Sequence, residues 1–255
     1  MSAPLRGDYS KAAPDYAVEQ NWRAYTADEH ALYRRLFERQ AKLVPRYACP
    51  ESIAALDSAR EIPKFDEVSQ RLRQATRWEI VPVPGLIPDD AFFTHLANRR
   101  FPVTVWLRRP EEFDYIVEPD VFHDFFGHVP LLFDRAYAEH LQEYGKGGLK
   151  AMRLDAVKML ARLYWYTIEF GLMRTPAGIR AYGAGLLSSG GELAYCIDDP
   201  RPQRLPFDLE AIMRTGYQID RYQERYFVIE SFQQLLRETA PDFTPIYQRI
   251  RQSVV

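Results

Sequence analysis

Two imidazoles and one carboxylate are the side chains here best able to do chemistry together. His123 and His128 stand in VEPDVFHDFFGHVPLLF, residues 117–133, and Glu169 follows 41 residues after the second, inside YWYTIEFGL. Such a set, with no thiolate beside it, can hold iron(II) on one face and leave the opposite face open to dioxygen and substrate. In a regular α-helix, residues five apart lie about 140° around the axis and about 7.5 Å along it, a poor chelating geometry. The pair works if His123 lies at a helix margin or if the backbone widens locally, as it often does at functional sites. Gly127 beside His128 allows a close approach by chain or ligand. The competing reading makes both residues core histidines that donate to backbone carbonyls.

Glu169 adds weight to the metal reading. At helical spacing its neighbours are Trp165, Tyr166, Leu172 and Met173, and an ionised acid on so apolar a face is costly unless a positive partner meets it. A bound cation is one solution, and an arginine such as Arg162 or Arg174 is the other. Asp120, Asp124, Glu118 and Glu192 are rival ligands, and Asp124 can alternatively contact a cofactor or hold a ligand in place. Two nitrogens and one oxygen suit iron(II), zinc or manganese, whereas a structural zinc site would want four protein ligands. An open catalytic site is favoured. The triad alone does not separate iron–oxygen chemistry from zinc hydrolysis, nor an enzyme from a helical binding module with a buried polar cluster.

The elements that must position these residues come next. With 255 residues, 47% hydrophobic, the chain can bury a large core and reads as one catalytic domain over 21–255 behind a flexible arm at 1–20. Thirty-three basic residues balance thirty-five acidic ones, which leaves no electrostatic footprint for nucleic acid or an anionic membrane. Cys49 and Cys196 stand far apart, so reduced thiols are expected. No signal-peptide core and no long apolar run is present, and a soluble cytoplasmic protein is expected.

Thr26 and Glu29 form a capping box that starts a helix carrying Leu32, Leu36 and Leu43, with Pro45 near its end. Another helix is expected over 64–77, and prolines make VPVPGLIP at 81–88 an unpaired loop. Asp89 or Asp90 caps a short helix; after it FPVTVWLRR alternates as one edge or hairpin strand. Asp134 caps a helix that stops near Gly145, and a long helix runs from about 153 to 173. YGAGLLSSGGE at 182–192 is too glycine-rich for a helix interior and reads as a shaped loop. Asp208 caps a helical piece ending at Gly216, and the strand YFVIE precedes the helix SFQQLLRE. The class is mainly α with a small antiparallel β element.

Three of these segments, EPDVFHDFFGHVPLL, YWYTIEFGL and AYGAGLLSSGGE, together resemble the catalytic domain of the pterin-dependent aromatic amino acid hydroxylases, over residues 20 to 235 and in the same order. The resemblance implies mononuclear iron(II) on His123, His128 and Glu169, a tetrahydropterin (tetrahydrobiopterin or a relative) as electron donor, and L-phenylalanine as substrate. Dioxygen would then be shared between the pterin and the ring. Tyrosine and tryptophan hydroxylases carry the same motifs; the single-domain bacterial form favours phenylalanine. Residue by residue, the resemblance implies that the pterin stacks on Phe92 and bonds the backbone of Gly85, Leu86 and Ile87, with Tyr164 pointing toward iron and pterin. It further implies that Arg108 grips the substrate carboxylate, a task suited to a planar fork, and that Trp165 and Ser188 flank the amino acid. Asp124 stands where many animal members have glutamate near the pterin, and Asp89 where they have serine. With no sustained heptads at its end, the chain is expected to be a monomer without allosteric activation by phenylalanine.

Overall fold

In the computed structural model, residues 5–253 are described, apart from the side chains at 55, 57 and 58. Helix α1 (Ala27–Tyr47) starts on the expected box. The Glu29 N–H reaches Thr26 Oγ1 at 3.2 Å, and the Glu29 carboxylate takes the Thr26 N–H at 2.7 Å. Pro45 does not end this helix. It sits inside the last turn, which buried Val44 and Tyr47 hold against the core despite the lost donor.

The elements that follow are α2 (Pro50–Ala55), α3 (Phe65–Ala75), β1 (Glu79–Val83), α4 (Asp89–Ala97), β2 (Arg100–Thr104), α5 (Arg135–Arg153) and α6 (Val157–Tyr164). Next come β3 (Leu172–Thr175), β4 (Gly178–Ala181), α7 (Ala184–Ser188), α8 (Glu192–Asp198), β5 (Gln203–Pro206), α9 (Leu209–Arg214), β6 (Arg225–Ile229), α10 (Phe232–Thr239) and α11 (Thr244–Gln252). Helix dominates, as expected, around a core rich in large rings such as Trp78, Tyr33, Tyr137, Tyr182, Phe101 and Phe122.

The expected small antiparallel element is the β3–β4 pair, and the other strands pair in parallel. β1 and β2 are parallel, joined through α4 as a crossover, and the second sheet has the order β4-β3-β6-β5 with only β3–β4 antiparallel. Prolines conceal β1 in the sequence. Pro82 lies in register with Val103, yet its carbonyl points away from β2 and accepts from the Val18 N–H at 2.9 Å. Its missing N–H points the same way, so no ladder bond is lost. β2 ends at Thr104 and does not alternate, because residues 101–104 are all buried.

Two helices also differ from expectation. α5 runs straight through Gly145 to Arg153, since Gly145 and Gly148 are where it presses on Leu96, Ala97 and Phe93 of α4; a Cβ at either would meet them within 2.6 Å. The helix expected to reach Met173 stops at Tyr164 and gives way to a wider turn and then β3. The 182–192 segment contains α7 and the start of α8 rather than loop alone. Gly7 and Tyr9 lie against the 84–86 segment, where the Tyr9 hydroxyl donates to the Leu86 carbonyl at 2.8 Å, and Arg6 pairs with Glu112 at 2.6 Å. Among the described residues, no helix is long and apolar enough to cross a membrane.

Candidate metal centre and active site

His123–His128 winds as a π turn, and Trp165–Glu169 as a second one. In a π turn each N–H bonds five residues back, so residues five apart sit one turn above each other and share a side. The spacing that defeats chelation in an α-helix therefore becomes a chelating one. The second turn is closed by the Phe170 N–H on the Trp165 carbonyl at 2.8 Å. Glu169 is thus delivered opposite both rings: Oε2 lies 3.5 Å from His123 Nε2 and Oε1 3.2 Å from His128 Nε2. One ligand atom from each residue falls within 4.8 Å of the others.

Neighbouring groups hold the three in place. Asp120 Oδ1 accepts the His123 N–H at 2.9 Å, as a helix cap would, and the Asp124 carboxylate takes the Thr104 N–H at 2.8 Å, which ties the turn to the end of β2. Phe101 packs on the His128 ring at 5.0 Å between centroids. Gly127 lets α7 come close, since a Cβ there would stand 2.8 Å from Ala184 Cβ. From α7, Ser188 Oγ lies 2.9 Å from His123 Nδ1 and donates to the Ala184 carbonyl at 2.8 Å. Because that hydroxyl proton is committed, Nδ1 must be the donor to Ser188, and Nε2 is left as a bare lone pair aimed at Glu169.

The charges agree with this assignment. Burial pushes the His123 pKa down and outweighs the pull of Glu169, so the ring is neutral at pH 7. For Glu169, burial pushes upward, but the two facing imidazoles and the Gly185 N–H outweigh it, and the group is held as a carboxylate. Arginine does not supply its partner. Arg162 donates to the Met213 carbonyl at 2.7 Å, and Arg174 pairs with Glu230 at 3.2 Å. Two imidazole nitrogens and one carboxylate oxygen converging on one point suit a divalent cation of intermediate hardness.

The ligands open onto a cavity of about 250 Å³, whose other walls include Gly85, Leu86, Ile87, Asp89, Phe92, Asp124 and Tyr164. Phe92 and Tyr164 meet edge to face at 5.7 Å. Residues 6–250 match the family of biopterin-dependent aromatic amino acid hydroxylases. The chain belongs to that family. It is 55% identical over 241 residues to a phenylalanine-4-hydroxylase of Ralstonia nicotianae, covering 93% of this chain and 77% of the relative. A phenylalanine-4-hydroxylase of Chromobacterium violaceum is likewise 55% identical over 245 residues, or 94% of this chain and 82% of that protein. The solved structure of Chromobacterium violaceum phenylalanine hydroxylase bound to cobalt superposes with a TM-score of 0.91 at 55% identity, over 94% of this chain and 88% of that one.

In this hydroxylase the remaining candidates fall outside the cavity just described. Arg108 is buried beneath the first π turn and paired with Asp120 at 2.8 Å. Ser188 stands behind His123. Trp165 lines a neighbouring cavity of about 540 Å³ that shares Asp89, Phe92 and Tyr164 with the first. Its ring stacks on Tyr217 at 4.3 Å and its indole N–H donates to Gln223 at 3.0 Å. Sequence reasoning treated Asp120 only as a rival ligand and missed Thr104, Phe101 and Tyr217. An aspartate three residues before His123 is the spacing of a cap, and that signal was available for Asp120. Contacts made through chain crossing leave no such trace.

Proposed function

We propose that this chain converts L-phenylalanine to L-tyrosine, using dioxygen and a tetrahydropterin at one iron(II) held by His123 Nε2, His128 Nε2 and Glu169. The observation that carries the reading is the convergence of those ligand atoms within 4.8 Å on the wall of a cavity whose opposite walls are an aromatic face and a stretch of backbone. When bound, the ion supplies the one-electron chemistry through which dioxygen can react with a reduced pterin and an aromatic ring. The reaction would place one atom of dioxygen at ring carbon 4 of phenylalanine, with a bound reduced pterin supplying the two electrons and accepting the other atom.

The protein's own groups do the rest. Phe92 offers a face for the flat pterin, and the Gly85–Ile87 backbone offers N–H and C=O groups to its edge. Asp124, raised in pKa by burial, lines the same cavity, where a protonated carboxyl could donate to a pterin and an ionised one accept. Burial likewise raises the Tyr164 phenol well above its ordinary range, so its hydroxyl keeps its proton beside the ligands. Asp120 takes Nε and Nη2 of Arg108, and to the guanidinium edge it leaves over, buried and outside the cavity as it stands, we assign the substrate carboxylate, with Trp165 and Ser188 assigned to the amino acid. Such walls exclude water from the ligands' open side.

Two buried free cysteines and balanced charge suit a cytoplasmic enzyme, and we read it as a monomer. Light scattering of the purified protein at micromolar concentration should give a mass near 29.8 kDa. The decisive assay is anaerobic reconstitution with ferrous ion and a reduced pterin, followed by air and phenylalanine, tyrosine or tryptophan. Tyrosine formed from phenylalanine only when metal and pterin are both present supports the reading. Turnover without pterin, or with zinc in place of iron, overturns it.

A further inference from the structure

Gln40 is a polar residue in the middle of α1 with no exposed surface, far from the ligands in sequence, and the proposed chemistry gives it no task. Burying a primary amide is costly unless its donors and acceptor are all met. Here they are met in one place. Gln40 Nε2 donates to the Leu187 carbonyl at 2.5 Å and to the Ser189 carbonyl at 3.0 Å, and its Oε1 accepts from Arg39 Nε at 2.9 Å. Arg39 Nη2 reaches the carbonyl between them, that of Ser188, at 3.3 Å, and Nη1 donates to the Phe113 carbonyl at 2.9 Å.

Three consecutive carbonyls at the end of α7 are therefore taken by one side-chain pair. α7 has only five residues, too few to be stable alone, and its last carbonyls have no partner within the helix. Its terminal residue is Ser188, whose hydroxyl fixes the His123 ring with Nε2 bare. We propose that Arg39 and Gln40 are positioning residues for the metal: by clamping the backbone on both sides of Ser188, they fix the hydroxyl that sets the tautomer and angle of His123. The inference rests on the metal reading above. Partners of this kind behind a ligating histidine typically contribute 10- to 100-fold to metal affinity.

The test measures cobalt(II) affinity of the full-length apoprotein by competition with a chelator, and its thermal midpoint as a check on folding. Gln40→Leu is made in the native chain and in a Ser188→Ala background. Gln40→Leu should weaken cobalt binding about tenfold in the native chain and less than twofold where Ser188 is already absent. A folded Gln40→Leu protein that binds cobalt within twofold of the native chain overturns the proposal. So does an equal loss in both backgrounds, which would make the clamp a scaffold that acts independently of Ser188. If Gln40→Leu does not fold, Arg39→Met, which removes the bonds to Gln40, Ser188, Phe113 and Asp114 from a half-buried site, goes through the same cycle with the same expectations. Native protein that binds no cobalt would sink the metal reading itself and this inference with it.

Discussion

Arg108 and Asp120 form a buried two-pronged ion pair, with Nε 2.8 Å from Oδ2 and Nη2 2.9 Å from Oδ1. The residues are 3% and 0% exposed. Asp120 also takes the backbone N–H groups of Arg108 and His123, both at 2.9 Å, so one carboxylate joins the chain after β2 to the start of the ligand turn. Burial pushes its pKa up, but the Arg108 charge outweighs this and holds it below the ordinary value. A carboxyl with a lowered folded pKa contributes its stability in full above the unfolded value of about 3.9 and loses it as pH falls through the folded value. Asp120→Asn should therefore cost about 3–5 kcal/mol at pH 7, by leaving Arg108 buried and unpaired. In urea titrations the gap between native and variant should narrow below about pH 4. A gap unchanged between pH 7 and pH 3 would show that charge is not its origin.

A second hydroxyl fixes a second histidine. His140 Nδ1 lies 2.7 Å from Thr239 Oγ1, whose proton goes to the Leu235 carbonyl at 2.6 Å. His140 Nε2 has no partner among the described residues, and burial pushes the ring's pKa down to about 3. The sign is opposite to that of a paired histidine. Between about pH 6.5 and the folded value, the unfolded chain binds a proton that the folded one refuses, and stability falls by roughly 1.4 kcal/mol per pH unit. Chemical denaturation at pH 7.5 and 5.5 should show His140→Leu losing about 1.4 kcal/mol less over that interval than the native chain. Identical losses would mean that the folded state accommodates the charge.

The contrast between what the sequence disclosed and what it concealed has physical causes. The α1 cap and the Asp134 and Asp208 caps were legible because each depends on side-chain types a few positions apart, and the candidate ligands stood out by residue type. The π turns were not, since nothing in FHDFFGH distinguishes an i→i+5 ladder from an i→i+4 one; the five-residue histidine spacing only made a widened turn necessary for chelation. β1 stayed hidden because Pro82 is harmless only on the side of the strand away from its partner, and which side faces the partner is a tertiary fact. The full length of α5 is hidden for the same reason: its glycines mark contact with α4, not a helix end. The cavity walls from residues 85–87, 92, 124 and 164 were named through family likeness, and their assembly on one cavity depends on crossovers that no local pattern encodes.

Gly127 couples two of these facts. A Cβ added there would lie 2.8 Å from Ala184 Cβ and 2.9 Å from the Ala184 carbonyl, and neither backbone can give way without moving α7 from the ligand turn. Gly127→Ala should thus destabilise the fold by about 1–3 kcal/mol through overpacking. It should also weaken metal binding more than the stability loss explains, because Ser188 moves with α7 while His123 does not. Calorimetric titration of the apoprotein with cobalt(II), alongside its melting curve, checks both. Lost stability with native metal affinity would show that α7 and the ligand turn can part without consequence for the site.

Phe92 lines both the cavity that His123, His128 and Glu169 face and the neighbouring one, whereas Trp165 lines only the neighbouring one. On the proposed assignment, the first serves the pterin and the second the amino acid, so their truncation should separate in the kinetics. Phe92→Ala removes a stacking face worth about 0.5–1.5 kcal/mol beyond its area. It should raise the KM for the pterin roughly tenfold while leaving that for phenylalanine within twofold. Trp165→Phe keeps a ring against Tyr217 but deletes the N–H that reaches Gln223, and should raise the KM for phenylalanine with the pterin constant little changed. Because Phe92 packs on Tyr164, the residue before Trp165, nonspecific damage would move both constants together in both variants, and that outcome would reject the division of labour between the two cavities.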